Sequence, residues 1–473
     1  MGVNNMTYIP TIGIEVHVEL NTQNKAFSPT INKYGDAANT LVNEIDLGLP
    51  GTLPTLNKEM IDFGIKAAMA LNCKINQKMY FERKNYFYPD NSKNFQITQG
   101  KTPIGYDGYI TVEVDNQLVK VEIERIHLEE DTAKSIHEQD KTYLDFNRAG
   151  VPLIEIVTKP MITNSEIAIK YLEKLKEILL YLGVSDVKME EGSMRCDANI
   201  SVSKNDKLGI KTEVKNIGSI KNVGLAIDYE IERQINLLNN NEVLVEETRR
   251  FNDSNNQTIR MRIKETGNDY RYFPEPDIPY VNISDEWLSE IKATLPMLPD
   301  DIRLELANKQ VNNNNIEALI GDIDALYFYL AIKNRIINPV SAINLIITDL
   351  KAYSNNLNKK IINLLQLEDF IEIANDLANK VYSKQMVKRL LEEIIINKLD
   401  ITDAKAMVNQ KESFNIEEIV VNILNNNFEA INDYKAGKDR ALKYLMGQVM
   451  KETKGVADAV EVQKVMLDKL SKL

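Results

Sequence analysis

Apolar and polar residues alternate along Thr11–Leu20, TIGIEVHVEL. Written as a strand, this places Ile12, Ile14, Val16, Val18 and Leu20 on one face and Glu15, His17 and Glu19 together on the other. The same period of two predicts strands at Tyr109–Val114, Lys120–Ile126, Asn199–Ser203 and Thr258–Lys264. Turn chemistry such as Tyr106-Asp107-Gly108 and Asp115-Asn116 separates them. Helical spacing interrupts the strands twice. One helix begins near Asn57 and runs through GIKAAMALN. A second, capped at Asn164 or Ser165, carries a stripe of Leu172, Leu175, Leu179 and Leu182 and stops at Gly183. Residues 1–285 therefore read as mixed α/β, and the proline-rich YFPEPDIPYV (Pro274, Pro276, Pro279) reads as the exit from that domain. Residues 286–400 are almost wholly helical in period, with breaks at LPMLPDD, at Asn312–Asn315 and near Asn338-Pro339. A third unit, 401–473, starts near Leu399–Thr402 and ends in two helical segments, ALKYLMGQVMKETKG and VEVQKVMLDKL.

A length of 473 residues agrees with about three domains of ~150 residues each. The net charge of −12 argues against a nonspecific polyanion binder, but the distribution of charge matters more than its sum. Between Lys435 and Leu473 nine Lys or Arg face five Asp or Glu, a local reversal of sign. No apolar run approaches the ~20 residues that span a bilayer. The N-terminus lacks signal-peptide features, and Met6 stands where a myristoylation signal needs Ser or Thr. Cys73 and Cys196 are too few for a disulfide framework or a thiolate zinc site. These features fit a cytoplasmic enzyme or assembly component without a membrane partner.

The candidate chemistry is acidic. Beside the row at Glu15 stand IHLEEDTAKSIH, with His127, Glu129, Glu130, Asp131 and His137, and DVKMEEGSMRCDANISV, with Glu190, Glu191, Arg195 and Asp197. Glu213 follows in KTEVKN. Glu155 is a lone carboxylate in the apolar strand LIEIV, costly to bury unless it is paired, ligated or hydrogen-bonded. The plain alternatives are a water-facing strand for the Glu15 row and a buried salt bridge from Glu155 to Arg148 or Lys159. If the acids converge, their repulsion calls for a cation, and hard oxygen donors select Mg²⁺ or Mn²⁺ rather than zinc. Basic residues accompany them: Arg83 and Lys84 in ERKNYFYPD, Arg148 in FNRAG, Lys211 and Lys215 around Glu213, and Arg260, Arg262 and Lys264 on one face of TIRMRIK. Interleaved acids and bases around a divalent ion suit phosphoryl transfer. No P-loop signature and no G-x-S-x-G elbow occurs.

IGIEVHVEL, DLGLPGTLPTLN, ERKNYFYPD, DFNRAGVPLIEIV, VKMEEGSMRCDANIS and DYRYFPEPDIP together resemble the hallmark segments of the GatB family, components of the aspartyl/glutamyl-tRNA(Asn/Gln) amidotransferases. The resemblance is specific over the first 280 or so residues and looser onward to GQVMKETKG. It implies an α+β, largely antiparallel cradle domain over 1–285, an all-α middle domain over 286–400 and a small helical tail over 401–473 that contacts tRNA. It implies an ATP- and Mg²⁺-dependent ligase that activates Glu or Asp mischarged on tRNA(Gln) or tRNA(Asn). Its ammonia would come from an amidase (glutaminase) partner within a heterotrimer that a small third component completes. Carried onto this chain, the metal site falls on Glu15, His17, Glu129, Glu155 and Glu213, with Glu191 and Asp197 as weaker members. Arg83, Lys84, Arg148, Arg195 and Lys215 are the expected phosphate partners. Many family members carry a cysteine zinc knot where this chain has KAFSPTINKYGDAANTLVNEID, so no zinc is expected and packing should hold that loop. Two rival readings are a noncatalytic tRNA-binding scaffold and a metal-dependent phosphate-ester hydrolase.

Overall fold

Alternating burial builds the core of the first part of the chain. The computed structural model describes residues 8–205, 207–263, 270–409, 416–435, 437–453, 457 and 459–472. Met6, Lys264, Asp269, Lys454, Gly455 and Asp458, named above or within the segments quoted there, lie outside the described residues. Sixteen strands are described: β1 (Ile9–Glu19), β2 (Lys74–Ile75), β3 (Lys78–Met79), β4 (Glu82–Asn85), β5 (Phe95–Thr98), β6 (Gly105–Val114), β7 (Gln117–Glu130), β8 (Lys134–Glu138), β9 (Lys141–Asp145), β10 (Pro152–Thr158), β11 (Met194–Ser203), β12 (Thr212–Lys215), β13 (Glu247–Asn252), β14 (Gln257–Ile263), β15 (Phe273–Pro274) and β16 (Val281–Asn282). Nine form one sheet in the order β14-β13-β12-β11-β1-β10-β7-β6-β2. All its pairs are antiparallel except β12 with β13.

The apolar face of β1 is closed off by helices. Helix α1 (Lys58–Ala70) packs on β7, α2 (Ser165–Tyr181) on β6, and α3 (Ile220–Asn239) on β11 and on α2. Ile12, Ile14, Val16 and Val18 are fully buried in one core with Ile65, Tyr171, Leu172, Leu175, Val223 and Ile227. Each such aliphatic side chain contributes about 1.5–3 kcal/mol when removed from water. The cap expectations hold: Asn57 and Asn164 accept hydrogen bonds from the first turns of α1 and α2, and Gly183, just past α2, has φ +68°.

Two regions differ from expectation. The proline-rich segment is neither helix nor central strand, but it does not leave the domain. Its short strands β15 and β16 pair with β4 and β3, and helix α4 (Asp285–Ala293) follows on α1, where Trp287 Nε1 donates to Asp62 at 2.7 Å. The first compact unit runs to Pro299 and the second from Asp300 to Leu473. The loop 25–46 is held by a buried polar knot rather than by packing alone. Lys25 Nζ reaches Leu41 O at 2.8 Å and Asp46 at 3.2 Å, and Asp46 also accepts from Ser28 and Thr30.

The second unit is helical throughout its described secondary structure. The Asn312 and Asn338 breaks are N-caps, each side chain accepting from the first turn of the next helix. Helices Ile416–Asn425, Asp439–Glu452 and Ala459–Leu470 close a cluster of their own around Val420, Leu445, Val449, Val462 and Met466. No helix among the described residues is long and apolar enough to cross a membrane.

Candidate active site

Strand register gathers the acids. Residues directly opposite one another share a face, so the pairings His17↔Glu155, His17↔Arg195 and Glu155↔His127 lay Arg195, His17, Glu155 and His127 in one row across β11, β1, β10 and β7. Glu15 faces Asp197 one step along the strand, and Glu129 lies opposite Leu153, itself opposite Glu19. Helices cover the other face, so this polar face is the one left for chemistry.

Glu15, His17 and Glu155 each bring one donor atom within 4.8 Å of the other two. His17 Nε2 is 3.7 Å from Glu15 and 3.7 Å from Glu129, and Glu129 also accepts from Thr98 Oγ1 at 3.1 Å. Glu155 lies 3.4 Å from His127 Nδ1. The anticipated bridges from Glu155 to Arg148 or Lys159 do not form: Arg148 faces Asp131 at 3.6 Å and Lys159 pairs with Glu122 at 2.8 Å. The strand geometry aims those two bases elsewhere.

The electrostatics are those of too many carboxylates for the available cations. Burial, then the charges of Glu155 and Asp197, pushes Glu15 up to about 8. Burial and Glu155 likewise push Glu129 up to about 8. Burial opposes the ionisation of Glu155 too, but the hydrogen bond with His127 and the nearby charges, Lys84 among them, outweigh it and hold Glu155 well below the usual carboxylate range. Burial lowers His17, favouring the neutral imidazole that can ligate. Near neutral pH, two protons thus occupy an acid cluster where one divalent cation would neutralise the same charge. His127 Nε2 is buried with no hydrogen-bond partner among the described residues, an orphan beside the same cluster. Carboxylates with one imidazole fit Mg²⁺ or Mn²⁺.

Other expected site residues fall around this centre. Lys215 joins Asp197 at 2.6 Å to Glu213 at 3.0 Å, and Glu213 also accepts from Thr248 at 3.1 Å. Glu213 therefore reaches the cluster through Lys215 and Asp197 rather than as part of the three-residue group. Arg195 holds Asp131 at 2.5 Å, and Arg83 holds Glu275 at 2.6 Å and Asp277 at 3.3 Å. The Lys84 side chain forms no salt bridge or hydrogen bond with the described residues; its ammonium sits 5.2 Å from the Tyr270 ring centre. Burial acts against its charge, but Glu129, Tyr272 and Glu155 outweigh burial and raise it. Glu191 is not brought to the centre: it pairs with Lys188 at 2.9 Å and lines, with Glu19 and Asp186, a cavity of about 180 Å³. His127 was expected only as a member of an acidic segment, without a place at the centre, and Thr98 was not expected at all. Only the spacing of His127 to Glu129, two residues along a strand, signalled the first.

The stretch of chain that carries this face matches a known domain. Residues 10–289 match the GatB/GatE catalytic domain and residues 327–470 the GatB domain. The chain is 40% identical to a protein of Ligilactobacillus salivarius over 98% of its own length and 99% of that protein's. It is 42% identical to one of Geobacillus thermodenitrificans and 42% to one of Clostridium botulinum strain Hall, in each case over 99% of this chain and 100% of the relative. All three relatives are named as the B subunit of an aspartyl/glutamyl-tRNA(Asn/Gln) amidotransferase. The chain belongs to the GatB family.

Proposed function

We propose that this chain is the carboxylate-activating component of a tRNA-dependent amidotransferase, using ATP and Mg²⁺ to amidate Glu or Asp mischarged on tRNA(Gln) or tRNA(Asn). An amidase (glutaminase) partner would supply ammonia, and a small third component would complete the assembly. The observation that carries the reading is the convergence of Glu15, His17 and Glu155 from two paired strands. A carboxylate is a poor electrophile with an oxide leaving group. Transfer of the γ-phosphoryl to it, releasing ADP, makes an acyl phosphate from which ammonia displaces phosphate. The attacking carboxylate is already ionised, so the site needs charge shielding more than a general base. A bound divalent cation would supply part of that shielding. Glu15, His17 and Glu155 would hold it, with Glu129 bracing His17 and His127 orienting Glu155. Lys84, without a carboxylate of its own, is the cation best suited to meet phosphate. Arg195, Arg148, Lys215 and Arg83 already hold carboxylates and shape the walls.

The test is ATP consumption by the reconstituted assembly, assayed with both mischarged tRNAs. Consumption that appears only with a mischarged tRNA supports the reading. No consumption would point to a scaffold, and consumption without tRNA to a phosphate-ester hydrolase.

A further inference from the structure

One buried ion pair plays no part in the chemistry above. Lys25 and Asp46 are 1% and 5% exposed, and the ammonium, 3.2 Å from the carboxylate, also donates to Leu41 O at 2.8 Å and Phe146 O at 3.4 Å. Two arms of contacts lead from this pair to the end of β7. In the first, Ala26 N donates to Gly150 O at 2.8 Å and Gly150 N to Asp131 O at 2.9 Å. Gly150, at φ +83°, packs so closely on the pair that a Cβ there would lie 3.1 Å from Asp46 Oδ1. Asp131 in turn holds Arg195, which faces His17 across the sheet. In the second arm, Asp46 O accepts from Ser92 at 2.5 Å, and the neighbouring Lys93 binds Glu130. Glu130 accepts from Ile97 N at 3.0 Å, and Thr98 beside it donates to Glu129, which lies 3.7 Å from His17. The arms close on His17 from the β11 side and from the β7 side.

We propose that Lys25 and Asp46 are a positioning pair for the acid row, setting where Arg195 and Glu129 stand about His17. The proposal rests on the function proposed above, because it assigns the pair to that site. Loop stability alone does not call for such a pair. Burying two charges forfeits their hydration, so a buried pair adds little net stability over apolar packing. What it does supply, when every partner is fixed, is a single geometry. Ser28 and Thr30 donate to Asp46 at 2.6 and 2.7 Å, and with Lys25 they hold the carboxylate in one arrangement. The exposed pair Lys33–Asp36, 2.8 Å apart on the same loop, has no such arms.

The test uses the full chain carrying Lys25→Met/Asp46→Asn, which removes both charges together and strands neither. Lys33→Met/Asp36→Asn is the control, and melting temperatures check the fold. Two signals are read. One is the imidazole nitrogen resonances of His17 in chelator-treated protein, assigned by their loss in His17→Gln. The other is the affinity for Mn²⁺, measured by electron paramagnetic resonance. In the buried-pair variant the His17 resonances should shift and Mn²⁺ affinity should fall on the order of 10-fold, the usual cost of loosening the groups behind a ligand. The control should change neither. Ser28→Ala, which removes one donor to Asp46 and keeps the ion pair, should move both signals the same way by less, and it decides if the double variant does not fold. Wild-type His17 resonances or wild-type Mn²⁺ affinity in a folded variant would overturn the proposal, because the pair would then hold only the loop. A wild type that binds no Mn²⁺ would instead sink the proposed metal site, and the His17 resonances alone would then decide the positioning.

Discussion

Glu15 stands in a surplus of negative charge, and its behaviour with pH follows. An unfolded chain ionises it near 4.5, whereas the folded protein without a cation keeps its proton up to about 8, through burial and the charges of Glu155 and Asp197. The fold therefore prefers the protonated form. That preference is fully present below about 4.5 and is lost as pH rises through about 8. Glu15→Gln, nearly isosteric and unable to ionise, escapes this loss. In chelator-treated protein its Tm should gain on the wild type by about 5 °C between pH 5 and pH 8. Added Mg²⁺ should close the gap by stabilising only the wild type, and a gap that stays constant with pH would refute the charge argument. In the assembled enzyme the same variant should abolish ATP-dependent activation, and near-normal amidation at saturating Mg²⁺ would remove Glu15 from the ligand set. The cysteines give an opposite expectation. Burial, then Asp107, pushes Cys73 up to about 12, and burial raises Cys196 well above the usual thiol range. A thiolate is the nucleophile in glutamine hydrolysis by cysteine, so neither can serve. The isolated chain should release no ammonia from glutamine, and robust release from pure protein would overturn its assignment as a component that depends on an amidase.

Among the elements, β12 shows how a short strand comes to carry site residues. It has four residues, yet Glu213 and Lys215 both stand on it, opposite β11 and beside β13. The chain returns to it past Gly209, where an added Cβ would lie 2.2 Å from Val202 O and 2.9 Å from Val202 C. Both are backbone atoms of the sheet and cannot rotate away. Gly209→Ala should therefore cost about 1–3 kcal/mol, read as a Tm lowered by several degrees, and should loosen the Lys215 bridge. An unchanged Tm would mean this return path is not held against β11. The sequence revealed this region only in part. Period two marked β1, because one of its faces is fully apolar, and half of β7, where Val121 and Ile123 alternate with charged residues, and Asn caps marked α1 and α2. Strand order was not readable, since β1 pairs with β10 and β11, more than 130 residues away in sequence. Glu15 was legible in an alternating strand and Glu155 as a lone carboxylate in an apolar run, whereas Glu129 stood in an acidic segment and came to the site through the resemblance. Their separation from Glu191 was not legible, because only a register fixes which acidic turn faces the row. His127 was missed as a partner of Glu155 for the same reason.

At the scale of the whole molecule, the acids proposed for catalysis all lie in the first unit, while the reversal of charge lies at the end of the second. Of the basic residues between Lys435 and Leu473, Lys438 pairs with Asp433 and Lys472 with Asp468, each on the surface. Surface pairs of this kind are worth little and exchange readily for phosphate. The helices that carry these bases close their own apolar cluster around Leu445, Val449 and Met466. A basic surface on a self-contained helical cluster is what a docked polyanion would leave as its footprint, so we propose that this tail contacts tRNA. The structure also locates a clean cut. Lys405 is bound at 2.5 Å to both Glu372 and Asp376, so helix Ile401–Asn409 belongs with what precedes it, and a deletion should begin at residue 410. Phosphate contacts release counterions, and log K falls by roughly 0.7–0.9 per neutralised phosphate for each log unit of salt. The truncated assembly should bind tRNA more weakly and with a flatter salt dependence than the full-length one. ATP binding should be unaffected, because Glu15, His17, Glu129 and Glu155 remain in place. Equal affinities and equal slopes across a salt series would make the tail a structural bundle whose basic excess is an accident of composition.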